Sequence, residues 1–260
     1  MMLLETLRKM EAKGIVETAR RAKQTASQVF RYAIITGRAQ HDPAADLKGA
    51  LQIPKKNHFA ALTDPHQVGG LMLAIDNYHA SYTVKAALKC SALWFCRPGE
   101  LRTLEWSNVN WDEKRLEIIA EKTKQQHIIP LSTQAIEILE SMQPISGYSK
   151  YVFPSNRGMS RPMSENTIRV ALRTMGYGNE DMTAHGFRAM ARTLLDEVLN
   201  YRVEWIEQQL AHTVKDANGR AYNRTKHLIQ RFEMMQRWAD YLDTLRLSAS
   251  STNVIPAKFG

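Results

Sequence analysis

A linker near residue 55 divides this 260-residue chain unequally, and the division limits what either side can build. The stretch from Leu51 to Asn57, with Pro54, Lys55 and Lys56, reads as that linker. Before it, Leu3, Leu4, Leu7 and Met10 mark one short amphipathic helix stopped by Gly14. A second helix runs from about Val16 to Thr36 ahead of Gly37, and Asp42-Pro43 closes the segment. Two helices bury little apolar surface, so residues 1–56 read as part of a helical domain rather than a domain of their own. Residues 57–260 are long enough for one full core.

Charge follows the same division. Residues 1–56 hold eleven Lys or Arg against five Asp or Glu, which is +6 of the chain's total of +9. A concentration of that kind suits a polyanionic partner, the alternative being a solvated helix face. Arg20, Arg21, Lys23 and Arg31 on the second helix, and Lys55 and Lys56 in the linker, are the candidate nucleic-acid contacts. Glu5, Arg8 and Lys9 fall too early for a signal-peptide core, and no apolar stretch approaches the ~20 residues that span a bilayer. The expected location is the cytoplasm, associated with the nucleoid, with no membrane partner. The two cysteines, Cys90 and Cys96, sit in what reads as a buried helix without ligand spacing around them. Core packing is expected and no metal.

Beyond the linker the pattern is mainly α with a small β-sheet, an α+β fold. Thr63-Asp64-Pro65 is a helix start, and His66 to Asp76 and Thr83 to Phe95 read as helices. Pro98 and Gly99 precede a short helix with Leu101 and Leu104. Arg115 to Ala120 and His127 to Leu131 are β-type runs joined by a polar turn that presents Lys122 and Lys124. Ser132 caps a helix to about Met142, Tyr151-Val152-Phe153 reads as a brief strand, and Ser164 opens a helix ending near Gly176. Thr183 caps a helix carrying His185 and Arg188, with an apolar face of Leu194, Leu195, Val198 and Leu199. A further helix ends near His212, and Tyr222 in a polar loop precedes a last helix of about Lys226 to Arg246.

His185 and Arg188 are three apart on one helix face, a spacing that recurs by chance when met alone. Read in order, Arg97 in Arg97-Pro98-Gly99-Glu100-Leu101, Lys122 in the hairpin, His185, Arg188, His212 in Leu210-Ala211-His212, and Tyr222 in Ala221-Tyr222-Asn223-Arg224 form a more specific set. This set resembles the tyrosine recombinase (phage integrase) family over nearly the whole chain. The resemblance is strongest to satellite-phage and genomic-island integrases, in which His and Tyr stand ten apart as His212 and Tyr222 do here.

The resemblance implies a catalytic domain over 57–260, preceded over 1–56 by part of a helical core-binding domain. Complete relatives carry more at the N-terminus. It implies site-specific cleavage and rejoining of double-stranded DNA through a 3′-phosphotyrosine, in integration or excision of a mobile element such as a prophage. It also implies self-assembly as a tetramer on DNA from monomers, accessory DNA-bending proteins, and no cofactor.

Chemistry explains the residue types. Two guanidiniums, Arg97 and Arg188, offer forked permanent charge to the phosphoryl oxygens. Tyr222 is the nucleophile, a phenol of pKa ~10 that needs a base, and the family resemblance assigns that role to His185. In the family the acidic lysine stands eight residues before the proline that ends the second strand, which selects Lys122 over Lys124. His212 donates to the phosphate. Bland alternatives stand beside these: an ion pair of Arg97 with Glu100 or Glu105, a helix cap for His212, a solvent-facing turn for Lys124. His127 either orients Lys122 or faces solvent. Rival functions are a type IB topoisomerase and a DNA-binding regulator with a vestigial site.

Overall fold

A computed structural model describes residues 2–53, 59–120, 124–212 and 227–252, in two compact units that part at residue 58. The first unit holds α1 (Met2–Ala12), α2 (Val16–Ile35) and a single 3-10 turn at Ala45–Leu47. Leu7, Ala19 and Ala44 are its buried apolar side chains among the described residues, while Val29, Tyr32 and Ile35 on α2 are exposed. A helix pair cannot cover more. Asp42 ties the segment after α2 back to it: its carboxylate accepts from Ser27 Oγ at 2.6 Å and from the Ala44 amide at 2.9 Å.

The second unit opens with α3 (Pro65–Asn77), where Asp64 Oδ1 accepts from the Gln67 amide at 3.0 Å and Pro65 occupies the first turn. α4 (Tyr82–Trp94) is buried on most of its circumference and forms the centre of the core. It ends at Phe95, whose φ of 36° turns the chain out of the helix. Cys90 lies in α4 and Cys96 beyond its end; both are buried and free, so the single helix expected for the pair stops between them. α5 (Pro98–Arg102) leads into an antiparallel sheet ordered β1 (Val109–Asn110), β2 (Arg115–Ile119), β3 (Gln126–Pro130). Its register pairs Leu116 with Ile129 and Ile118 with His127.

α6 (Thr133–Ser146) starts as expected, with Ser132 Oγ accepting from the Ala135 amide, but passes Met142 and includes Pro144. Pro144 forfeits one helical bond, and the buried Ser146 hydroxyl holds the last turn by donating to Val152 O at 2.8 Å. Tyr151-Val152-Phe153 is not the strand expected. Tyr151 forms an isolated bridge with Glu105, the Val152 amide donates to Leu104 O, and the hairpin is β4 (Pro154–Ser155) with β5 (Gly158–Pro162). α7 (Thr167–Thr174) begins after Ser164, whose hydroxyl accepts from the Asn166 amide in a turn rather than a cap.

α8 (Gly186–Glu197) has His185 at its N-cap position, and Thr183 Oγ1 accepts from the Gly186 amide at 3.0 Å. Val198, expected on its apolar face, is exposed. α9 (Val203–Gln209) stops short of His212, and α10 (Leu228–Thr252) outlasts Arg246. α10 lays Met234, Met235, Trp238, Ala239 and Leu242 into the core, and Trp238 Nε1 donates to Ala92 O at 2.9 Å. Gly69 brings α3 against α10: a β-carbon there would meet Leu245 O at 2.5 Å. Among the described residues no helix is long and apolar enough to cross a membrane.

Candidate active site

α9 ends in a left-handed turn at Ala211, with φ of 50°. The Ala211 amide donates to Gln208 O and the His212 amide to Glu207 O, each at 3.0 Å, the pairing that closes a helix through a left-handed residue. This turn leaves two consecutive carbonyls, those of Leu210 and Ala211, to be claimed by side chains. Arg188 on α8 donates through Nη2 to Leu210 O at 2.7 Å and through Nη1 to Phe95 O at 2.9 Å. Arg97, just before α5, donates through Nη2 to Ala211 O at 3.3 Å and through Nη1 to Glu100 Oε1 at 2.8 Å. Two cations at one helix C-terminus also meet its negative end.

His212 joins them. Its Nε2 lies 3.2 Å from Arg188 Nη2 and its Nδ1 2.5 Å from Glu207 Oε2. Arginine only donates, so these partners assign Nδ1–H to Glu207 and leave Nε2 as acceptor. In this arrangement, donation to an anion requires a second proton on the ring. His185 stands exposed, stacked on Phe59 with centroids 4.5 Å apart and planes within 15°. Partial desolvation by its neighbours, then the charges of Arg188 and Arg97, lower its pKa and so favour the neutral ring, the form that accepts a proton. Phe59 is fastened there by its neighbour: the Thr183 amide and hydroxyl both donate to Ala60 O. Burial and Arg97 likewise lower the Arg188 pKa. Two guanidiniums held side by side suit an incoming oxyanion.

Of the candidate residues, then, Arg97, His185, Arg188 and His212 converge on one face. Lys122 and Tyr222 lie outside the described residues, as do Lys55 and Lys56. Lys124 is exposed with φ of 53°. In the first unit, Arg20, Arg21, Lys23 and Arg31 border one open cavity of about 610 Å³. Arg21 there pairs with Glu17 at 3.2 Å.

His127 does not face solvent. It is 5% exposed on β3, and neither ring nitrogen has a well-aligned hydrogen-bond partner among the described residues. Burial, then Arg231 and Arg188, push its pKa down to about 3, against a smaller opposing effect of the nearby Gln209 main chain. Sequence reasoning passed over Glu207, Phe59, Gln209 and Arg231. Arg231 alone had a signal, a charge on the helical stripe it shares with Met234, Met235 and Trp238. Among the described residues no cluster of His, Cys, Asp or Glu could hold a metal.

Comparison with known proteins adds to this geometry. Residues 62–227 match the phage integrase family, and residues 1–50 the phage integrase central domain. The chain is 35% identical to the integrase of Enterobacteria phage P4 over 97% of its own length and 61% of that protein's. It is 34% identical both to the integrase of Shigella phage Sf6 and to the prophage integrase IntS of Escherichia coli, in each case over 94% of this chain and 63% of the relative. The chain therefore spans less than two thirds of these curated relatives. Its fold matches a lambda integrase dimer bound to a COC′ core site, with a TM-score of 0.65 and 20% identity over 82% of this chain and 78% of the other. It also matches a lambda integrase tetramer bound to a Holliday junction, with a TM-score of 0.63 and 19% identity over 85% of this chain and 66% of the other.

Proposed function

Since the chain belongs to the phage integrase family of tyrosine recombinases, we propose that it carries the catalytic part of a site-specific recombinase. It cleaves and rejoins double-stranded DNA during integration or excision of a mobile element. The observation that carries this reading is the pair of guanidiniums on consecutive carbonyls beside two imidazoles.

Arg97 and Arg188 bind the non-bridging oxygens of the scissile phosphate and stabilise the charge that grows there on attack. The Tyr222 oxygen attacks phosphorus while His185 accepts its proton. The 5′ oxygen departs with a proton from Lys122, leaving a 3′-phosphotyrosine. That ester conserves the energy of the broken bond, so the 5′ hydroxyl of another strand reverses the step without ATP. His212, with Nδ1–H held by Glu207 and a second proton on Nε2, completes the phosphate's hydrogen bonds. Residues 57–260 form the catalytic domain, and residues 1–56, with Arg20, Arg21, Lys23 and Arg31, belong to a core-binding domain on the DNA. Lys55 and Lys56 extend that contact through the linker. Assembly as a tetramer on DNA follows the precedent of the lambda integrase complex, with DNA-bending proteins as accessories and the cytoplasm as the site of action.

A nicked suicide substrate tests the reading, because the released fragment diffuses away and traps the adduct. The protein is expected to yield a DNA-linked band that Tyr222→Phe abolishes while DNA binding persists, since only the attacking oxygen is lost. An adduct surviving in Tyr222→Phe would sink the assignment. Plasmid relaxation without strand exchange would indicate a type IB topoisomerase, and binding with no covalent product a regulator.

A further inference from the structure

We infer that Arg231, through Gln209, is a positioning residue that holds the two active-site arginines in register. Arg231 lies in the first turn of α10, 1% exposed, and among the described residues no carboxylate pairs with it. Its guanidinium is shared between neutral acceptors on two other elements. Nε and Nη2 donate to Gln209 Oε1 at 3.1 and 2.6 Å, and Nη2 also donates to the Ile128 carbonyl of β3. Burial lowers its pKa to about 10, which registers how poorly the cation is solvated.

Core filling does not call for this residue. The neighbouring positions of the stripe are Met234, Met235 and Trp238, and an apolar side chain at 231 would pack without desolvating a charge. What an apolar side chain lacks is the planar fork, which ties α10, β3 and the last residue of α9 into one geometry. The residue tied is decisive. Gln209 directly precedes Leu210 and Ala211, whose carbonyls receive Arg188 and Arg97. A shift of the α9 terminus therefore moves both acceptors, and the left-handed Ala211 turn, together. Arg231 touches neither guanidinium, yet it fixes the main chain on which both hang.

The consequence for DNA cleavage rests on the recombinase reading, and the test separates the two. The intact chain, Arg231→Met, Gln209→Leu and the double variant are compared in thermal melting, DNA binding and single-turnover cleavage of the suicide substrate. Each single variant strands a buried polar partner and melts lower. The double variant removes the Arg231–Gln209 pair together, leaves the Ile128 carbonyl as the one acceptor without its donor, and regains part of the melting temperature. Positioning predicts that the double variant binds DNA like the parent but still cleaves roughly 10- to 100-fold more slowly, the scale of a small misplacement of catalytic groups. A double variant that regains both melting temperature and parental cleavage overturns the inference and leaves Arg231 a packing element. Should the double variant not fold, Arg231→Lys decides by the same criterion, because it keeps the cation but not the fork. Failure of the parent itself to form an adduct counts instead against the recombinase reading.

Discussion

Arg97 binds both Glu100 and the Ala211 carbonyl, so the ion pair weighed against a phosphate role is formed without using up its donors. A guanidinium has donors for both and for a phosphate besides. His127 is the opposite case, a ring with few partners kept neutral by burial. With a folded pKa of about 3 against an ordinary 6.5, the unfolded chain binds the extra proton between those values. Stability contributed by the neutral ring is thus present above pH 6.5 and is lost as pH falls. The loss amounts to about 1.4 kcal/mol per pH unit, or about 2 kcal/mol at pH 5. Urea unfolding at pH 7 and pH 5 should show that loss in the parent and a smaller one in His127→Leu; equal losses would clear His127. For the leaving group, a 5′-bridging sulfur needs no acid, because a thiol has a pKa of ~8.5. Lys122→Ala should cut the sulfur substrate near the parental rate and the oxygen substrate very slowly, whereas Arg97→Ala should stay slow on both. Sulfur rescue of Lys124→Ala instead would move the acid two residues along the hairpin.

Elements whose ends are set by near neighbours could be read from the chain. Asp64 with Pro65, Ser132 and Thr183 all bond to amides three residues on; the first two starts were anticipated, whereas α8 begins later than expected, with His185 rather than Thr183 at its N-cap. Tyr151 to Phe153 misled because their partners are Glu105, Leu104 and Met163, which no local pattern announces. Close approach is equally silent. Gly69 and Gly186 look like weak points in helices, yet each admits a main chain: Leu245 O against Gly69, Ala60 O against Gly186. The second approach carries Phe59 to His185. Gly69→Ala must push α3 away from α10, at an expected cost of about 1–3 kcal/mol. A urea midpoint unchanged by that substitution would mean the helices part without penalty. Adduct formation by the folded variant should survive, because no active-site group lies on α3.

Across the whole molecule, the basic excess in residues 1–56 predicts an interface governed by counterion release. DNA affinity should fall steeply with salt. The triple variant Arg20→Ala, Arg21→Ala, Lys23→Ala should flatten the log–log slope by about 0.9 for each phosphate it no longer neutralises. A slope that does not change would take α2 off the DNA. Composition, the linker, and the order and spacing of Arg97, His185, Arg188, His212 and Tyr222 were enough to indicate the family. Those are properties of residue type and short separation, which a linear string preserves. Tertiary structure alone decided that His127 is buried, that Phe59 covers His185, that Arg231 holds Gln209, and that Arg97 and Arg188 hang on adjacent carbonyls. Every residue carries the same carbonyl, so sequence cannot mark which are left unpaired; that depends on where helices stop and what packs against their ends.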